Sequence, residues 1–405
     1  VSSNSLPCRS LTERFYHPEL DVLRYFAFFL VFLHHSLPHD PVFYTKMGTS
    51  PLLASILAGL GATGAFGVNL FFLLSSYLIT ELLIRERARF GQVDLKAFYM
   101  RRILRIWPLY FAFLAFAWSM QWWIPGQHIG WRAGLAFTFL GGNWWLVFVG
   151  FPSSVIFPLW SVSIEEQFYL FWPATMRKLS QRGLLVAAAA MLAAANLTRW
   201  YLSAQHTWES RMWTNTFVQL DAIAMGIILA VLLAGRAPRL SALQRAALFI
   251  GGFTCLFLAA NYFQIKGDPL TLARVLLGYP LVTLGAVALL LGTLYSPATS
   301  EASDEEPFIS AAQPSQARSW QVIALSPLVY LGRISYGLYV FHILALMITD
   351  YTIHNQEASL GRYLYRVTAA LTITIGLSAI SYRWLETPFL SLKQRFTHVL
   401  SRPGG

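Results

Sequence analysis

An arginine and a histidine, Arg24 and His35, stand eleven residues apart inside one otherwise apolar run, VLRYFAFFLVFLHHS. At about 100° per residue, eleven steps close three turns with about 20° left over, so the two side chains share one helix face about 16 Å apart along the axis. His34 falls about 80° off that face. Ionisable groups inside a membrane-spanning helix are costly unless a partner or a polar cavity receives them. The register therefore marks a polar track through the protein rather than a lipid-facing anchor.

Other constellations extend the track. PLWSVSIEEQFYLFWP, residues 158–173, sets Glu165 and Glu166 among aromatics. Adjacent carboxylates on a helix point about 100° apart, so the two cannot face one site. Measured from the ends of their segments, Glu165 and His35 fall at similar depth. A carboxylate meeting the imidazole there would orient it to take a proton from a hydroxyl; a structural ion pair or a lone interfacial glutamate is the plainer alternative. In RRILRIWPLY, Arg102 and Arg105 are three apart and share a face suited to phosphate, while Arg101 precedes them. Arginines at a span end also arise from topology alone, snorkelling to headgroups, and position leaves both readings open. With Arg24 at the same level, four guanidinium groups could form a pocket for a polyphosphate.

The run GVNLFFLLSSYLIT carries Asn69, Ser75, Ser76 and Tyr77. Small residues there serve close helix packing; Ser75 has no base beside it in sequence, and Tyr77 is a candidate cavity-lining residue. In LGRISYGLYVFH, Ser335, Tyr336, Tyr339 and His342 recur, and His342 lies two turns beyond Ser335 on the same face. His342 either lines a cavity with His35 or is a packed, hydrogen-bonded histidine. Asp221 is expected to face inward. Arg383 and Glu386, three apart, are expected to pair with each other.

These residues need a scaffold, and composition names its class. The chain is 56% apolar and 12% charged, against about 25% charged in a soluble domain. It reads as an all-α polytopic membrane protein. Apolar stretches long enough to cross about 30 Å of hydrocarbon occur near 22–38, 64–84, 103–122, 132–150, 157–175, 183–202, 216–234, 245–263, 273–295, 324–349 and 364–386. Basic residues cluster at 85–102, 176–182, 235–245 and 392–395, short loops that belong in the cytoplasm. Only an odd number of crossings fits between 102 and 176, so 132–175 is expected to cross once and to hold a re-entrant or broken piece. The result is about ten transmembrane helices with both termini cytoplasmic.

The net charge of +11 follows from this topology, which leaves no role for nucleic acid. Cys8 and Cys255 are too few and too distant for a disulfide framework, and no metal site is expected. Residues 1–20 lack a short apolar core ending in a small-residue cleavage site, so the first span is expected to stay uncleaved. No internal repeat of the kind that builds two-halved transporters is visible. Residues 1–395 are expected to form one transmembrane domain, with 296–322 a cytoplasmic linker loop and 396–405 a C-terminal tail.

Taken in order, ELDVLRYFAFFLVFLHH, GVNLFFLLSSYLIT, RRILRIWPLY, PLWSVSIEEQFYLFWP, YLGRISYGLYVFH and SYRWLETP resemble the segments of the integral-membrane acyltransferase-3 family, over about residues 18 to 390. The resemblance implies His35 as the catalytic histidine and contact of Arg102 and Arg105 with the acyl donor; the residue reading adds Glu165 as the partner of His35 and Arg24 as a further donor contact. The family's tryptophan-serine-glutamate segment falls on Trp160, Ser161 and Glu165. The sequence departs from the usual pattern at Ser76, where glycine is typical, and at Gln219, where an arginine often precedes the aspartate. The implied activity is transfer of an acyl group, commonly acetyl, from cytoplasmic acyl-CoA to a hydroxyl of an extracytoplasmic glycan such as exopolysaccharide or lipopolysaccharide, in a bacterial inner membrane. Acetyl-CoA enters as donor substrate, and no bound cofactor is expected. The membrane unit is expected to recognise its acceptor without an appended domain. A transporter of an acyl donor or glycan, or an acyltransferase acting on a small molecule, are the rival readings.

Overall fold

The computed structural model describes residues 17–205, 209–266, 271–294, 326–353 and 359–396. Among these residues every regular element is helical. In chain order they are α1 (Pro18–Ser36), α2 (Pro41–Thr45), α3 (Pro51–Gly64), α4 (Gly67–Phe90), α5 (Leu95–Met120), α6 (Trp131–Thr138), α7 (Gly142–Phe148), α8 (Leu159–Lys178), α9 (Gln181–Ala204), α10 (Glu209–Trp213), α11 (Leu220–Leu233), α12 (Ala242–Asn261), α13 (Leu272–Thr293), α14 (Ser326–Arg333), α15 (Ser335–Ile353) and α16 (Leu360–Ser381). A π-helical turn, Tyr382–Glu386, joins α16 to α17 (Thr387–Lys393). The expected linker at 296–322, nearly all of the tail at 396–405, and Cys8 lie outside the described residues.

Polar caps and prolines start these helices. Pro18, Pro41 and Pro51 occupy first-turn positions, where a missing N–H costs nothing. Asp94 accepts from the Ala97 amide, and Ser241 forms a reciprocal box with Gln244. Gly91, left-handed at φ 74°, ends α4.

Among the described residues, six helical segments are long and apolar enough to cross a membrane, or seven if α14 and α15, bent by 75° at their junction, make one span. α1 and α8 have comparable length, 19 and 20 residues, but carry Glu19, Asp21 and Arg24 in the first and Glu165 and Glu166 in the second. The helices that carry His35 and Glu165 are thus the polar ones, whereas Arg102 and Arg105 lie on α5, one of the six. The stretch at 132–150 forms two short helices, α6 and α7, broken where Leu140 turns left-handed at φ 57°. Eight residues rise about 12 Å, too little to cross.

The Pro51–Phe90 span is central, 72% buried, whereas α12 is only 17% buried and presents its apolar surface to lipid. Helix starts well before residue 64, the expected edge of this stretch, because GLGATGAFG acts as a packing ridge rather than a breaker. Gly61, Gly64 and Gly67, three apart, lie against the α1 backbone: a Cβ on Gly64 would strike the Leu30 carbonyl and come within 2.8 Å of the His34 nitrogen. On the other side of α4, Ser76 packs against Gly226 of α11. The missing side chain at 226 makes room for serine at the position where the family typically has glycine.

Polar pairs fasten the remaining helices. Asp221 is buried, as expected, and its carboxylate meets Arg199 of α9 at 2.6 Å and the Thr283 hydroxyl of α13 at 2.6 Å. Arg199 arrives from another helix to supply the cation that the resemblance leads one to look for at 219. Gln219 instead accepts from Asn69 at 2.8 Å and donates to the Trp213 carbonyl at 2.6 Å. The expected Arg383–Glu386 pair does not form: Arg383 is exposed, whereas Glu386 is buried and accepts from Ser381. The wider π turn advances fewer degrees per residue, so residues three apart fall further short of a full turn than in an α-helix, which separates them.

Replacing Gly64 by alanine should lower stability by about 1–3 kcal/mol, because the new methyl meets backbone that cannot swing away. Gly251→Ala, which meets nothing within 4 Å, should be neutral or mildly stabilising. Thermal unfolding of both variants in detergent measures the contrast.

Candidate active site

Two cavities lie along the polar track. The first, about 170 Å³, is lined by Arg24, Arg102, Arg105 and Lys393, by Asp21 and Glu165, and by hydroxyls of Ser75, Ser161, Tyr169, Ser335 and Tyr336. The second, about 250 Å³, is lined by His34, His35, Trp160, Trp213, Phe151, Phe157 and Lys266. Val68 and Tyr339 border both.

The order of residues along each helix shows how the cavities stack. On α1, Arg24 faces the first and Val31 and His35 the second; on α4, Ser75, Leu78 and Leu82 face the first and Val68 is shared. On α8, Trp160 faces the second and Ser161, Glu165 and Tyr169 the first. Arg24 and His35 therefore address two chambers stacked end to end, with Val68 of α4 and Tyr339 of α15 in the wall they share.

In the arginine chamber, Arg24 pairs with buried Asp21 at 2.9 Å. Arg101 points elsewhere, to Glu86 at 2.9 Å and the Phe396 carbonyl at 2.7 Å. Arg102 makes no ion pair or hydrogen bond among the described residues; its guanidinium lies over Phe98 and Tyr169 at 5.5 and 5.4 Å, and its Nε is buried without a partner. A guanidinium held by stacking keeps its N–H fork free for an anion. Arg102 and Arg105 share the chamber, as their spacing led one to expect.

Glu165 does not meet His35. One of its oxygens accepts from Ser75 at 2.8 Å and the other from Tyr169 at 3.1 Å, both in the arginine chamber. Equal depth was a sound basis for placing Glu165 near α1, but α8 turns that residue toward α4. Trp160, five residues earlier, lines the histidine chamber in its stead. Glu166 points away to Trp107, which donates at 3.1 Å.

His35 finds its partner on α15. His342 Nε2 lies 3.2 Å from His35 Nδ1, which also lies 3.0 Å from the Val31 carbonyl, while His342 Nδ1 lies 2.6 Å from the Tyr339 carbonyl. His342 is fully buried and lines neither chamber itself. His34 lies 3.0 Å from the Gly61 carbonyl, and the ring of His39 stacks on it at 4.6 Å. Ser161 donates to the Tyr339 hydroxyl at 2.7 Å, fixing the shared wall. Ser335 and Tyr336 line the arginine chamber where α15 begins. Tyr77 lines neither cavity: two residues past Ser75 is about 200° around the helix, which turns it away.

Several residues here were not read from the sequence. Asp21 had a signal, three residues before Arg24; so did Tyr169, one turn after Glu165. Lys266, in the turn after α12, and Trp213, at the end of α10, whose ring lies 4.5 Å beneath the Lys266 ammonium, are distant in sequence from α1 and carry none.

The family model for an acyltransferase domain matches residues 17–383, and the chain belongs to this integral-membrane acyltransferase-3 family. Over 349 residues it is 27% identical to the peptidoglycan O-acetyltransferase OatA of Listeria monocytogenes, covering 80% of this chain and 51% of that protein. Over 394 residues it is 27% identical to the O-acetyltransferase OatA of Staphylococcus aureus, covering 92% of this chain and 57% of that protein. The chain thus spans about half the length of the curated relatives it matches. No solved structure matches it.

The two adjacent arginines should separate in a stability assay. Arg101→Gln leaves buried Glu86 without its cation and should cost about 3 kcal/mol. Arg102→Gln forfeits only ring stacking and should cost about 1 kcal/mol or less. Thermal unfolding in detergent without ligand reads the difference.

Proposed function

We propose that the chain is an O-acyltransferase that moves an acetyl group from acetyl-CoA, held in the arginine chamber, to a hydroxyl of a glycan held in the histidine chamber. One observation carries the reading: a chamber of guanidinium groups and a chamber containing the candidate base meet at a common wall, Val68 and Tyr339, along one helix. Arg102, Arg105 and Arg24 grip the donor's phosphates. The pantetheine arm runs toward Tyr339, through a span of about 16 Å that an extended arm can cover. Glu165, bonded to Ser75 and Tyr169, then belongs to the donor's channel, as a positioning group rather than the partner of His35.

The chemistry is a general-base acyl transfer. His35 takes the proton of an acceptor hydroxyl as its oxygen attacks the thioester carbonyl; the tetrahedral intermediate collapses, the C–S bond breaks, and the thiolate leaves as coenzyme A and regains a proton. Aromatic rings of Trp160, Trp213 and Phe157 offer faces against which a sugar can stack, and Lys266 stands at the same chamber. The names of the relatives support a glycan of the cell envelope as acceptor.

The topology belongs to the same reading. Six long apolar segments, the bent α14–α15 pair, α1, α8 and the shorter α11 make ten crossings. With ten, the basic loops at 85–102, 176–182, 235–245 and 392–395 all fall on one side, the cytoplasmic side of a bacterial inner membrane. The arginine chamber then opens inward and the histidine chamber outward.

A covalent relay is the second reading, favoured by the Ser75 hydroxyl donating to Glu165 at 2.8 Å. Ser75, however, stands seven residues beyond Val68, about 10 Å along α4, so acetate on Ser75 would need another transfer to reach an acceptor beside His35. Direct transfer is the shorter route.

Acetyl incorporation from radiolabelled acetyl-CoA into envelope glycan tests the proposal. His35→Ala should lose activity by roughly 10²–10⁴-fold. His34→Ala should keep most of it. Arg102→Gln should raise the donor KM about tenfold, the worth of one charge-assisted contact, with kcat little changed. Wild-type incorporation by His35→Ala would instead favour a transporter. Protein-bound label surviving acid quench would favour the relay.

A further inference from the structure

The His35–His342 contact fixes which nitrogen of His35 can act. A carbonyl oxygen only accepts hydrogen bonds, so His342 Nδ1, 2.6 Å from the Tyr339 carbonyl, must carry a hydrogen. In the neutral ring this leaves His342 Nε2 a bare lone pair. That lone pair faces His35 Nδ1 at 3.2 Å, and the Val31 carbonyl faces the same atom at 3.0 Å. Both neighbours only accept, so His35 Nδ1 must be the N–H, shared between them. Reversing either ring would set a lone pair against a carbonyl. The carbonyls at the two ends polarise the pair in one direction, and the free lone pair of His35 is left on Nε2, in the ring that lines the histidine chamber.

We infer that His342 is the positioning residue for the general base: it holds His35 in its Nδ1–H tautomer and fixes its ring against the chamber, the task an orienting acid performs in other base-assisted transfers. The inference rests on the proposed role of His35. The local build suits the task. His342 is fully buried, flanked edge-on by Phe28 at 6.2 Å, and its own carbonyl partner is one turn away on α15. That partner belongs to Tyr339, which lines both chambers, so the base and part of the wall between the chambers are held by one turn of one helix. The Val31 carbonyl sits in the helix of His35 itself, and Phe157, whose ring lies 5.7 Å from that of His35, offers no hydrogen-bonding atom; His342 is the acceptor that comes from outside α1. In this family member the orienting acceptor is thus a second imidazole, in the role expected of Glu165.

The experiment compares His342→Gln and His342→Phe with wild type and His35→Ala. Acetyl transfer from radiolabelled acetyl-CoA to envelope glycan is followed in membranes, with rates normalised to folded protein and thermal stability measured in detergent. Phenylalanine fills the space without an acceptor; glutamine retains an oxygen near the position of Nε2. The inference predicts that His342→Phe lowers kcat on the order of 10²-fold, with the donor KM unchanged, and that His342→Gln recovers at least about tenfold of that loss. If His342→Phe does not fold, His342→Leu takes its place in the comparison with glutamine. Near-wild-type kcat in His342→Phe, or equal loss in the Phe and Gln variants in step with lost stability, overturns the inference and leaves His342 a packing residue. Activity in His35→Ala sinks the general-base reading itself. An inactive His35→Ala beside an active His342→Phe sinks only the assignment of His342.

Discussion

The rigid length of α1 sets the distance between the two halves of the site. Arg24 and His35 are separated by three helical turns that neither side chain can shorten, and each end is anchored locally: Arg24 by Asp21 on its own helix, His35 by His342 on α15. The glycine ridge at Gly61, Gly64 and Gly67 brings α3 and α4 against the α1 backbone, which allows Val68 to reach the wall between the chambers. Bulkier residues along that ridge would push α4 outward and open the wall. The length of the track is therefore covalent, whereas its width is a matter of packing.

In an apolar bundle, an ionisable group is either matched within the protein or kept for a ligand. Arg199 and Asp221 match each other and fasten α9 to α11, and Arg101 and Glu86 do the same near the end of α5. Arg102 is treated differently, since rings hold its plane and no carboxylate takes its N–H groups among the described residues. Glu165 is held by two hydroxyl donors rather than by an arginine. Such a site leaves the Arg102 fork open to an anion, with no strong ion pair to break first.

Much of this was legible in the sequence because helix periodicity is local. The eleven-residue spacing of Arg24 and His35, the shared face of Arg102 and Arg105, and the broken character of 132–150 all follow from residues close in the chain. What failed needed the rotation of one helix against another. Glu165 and His35 have the same depth, yet the azimuth of α8 sends Glu165 to Ser75 and Tyr169. Tyr77, two residues past Ser75, is turned about 200° away from it on α4 and lines neither cavity. The apolar stretch near 64–84 missed the helix before it, since glycine weakens an isolated helix, while at Gly61, Gly64 and Gly67 it permits the closest packing on α1. Arg383 and Glu386 were set apart by a π turn that composition does not announce.

The central claim is that donor and acceptor approach from opposite faces and meet at the wall between the chambers. Sealed membrane vesicles of defined orientation test it most directly, with radiolabelled acetyl-CoA supplied only on the side of the basic loops and label then sought in glycan enclosed on the other side. The account predicts labelled glycan across an intact membrane from that side alone. Label appearing only after permeabilisation, or only on the side where the donor was added, would contradict it.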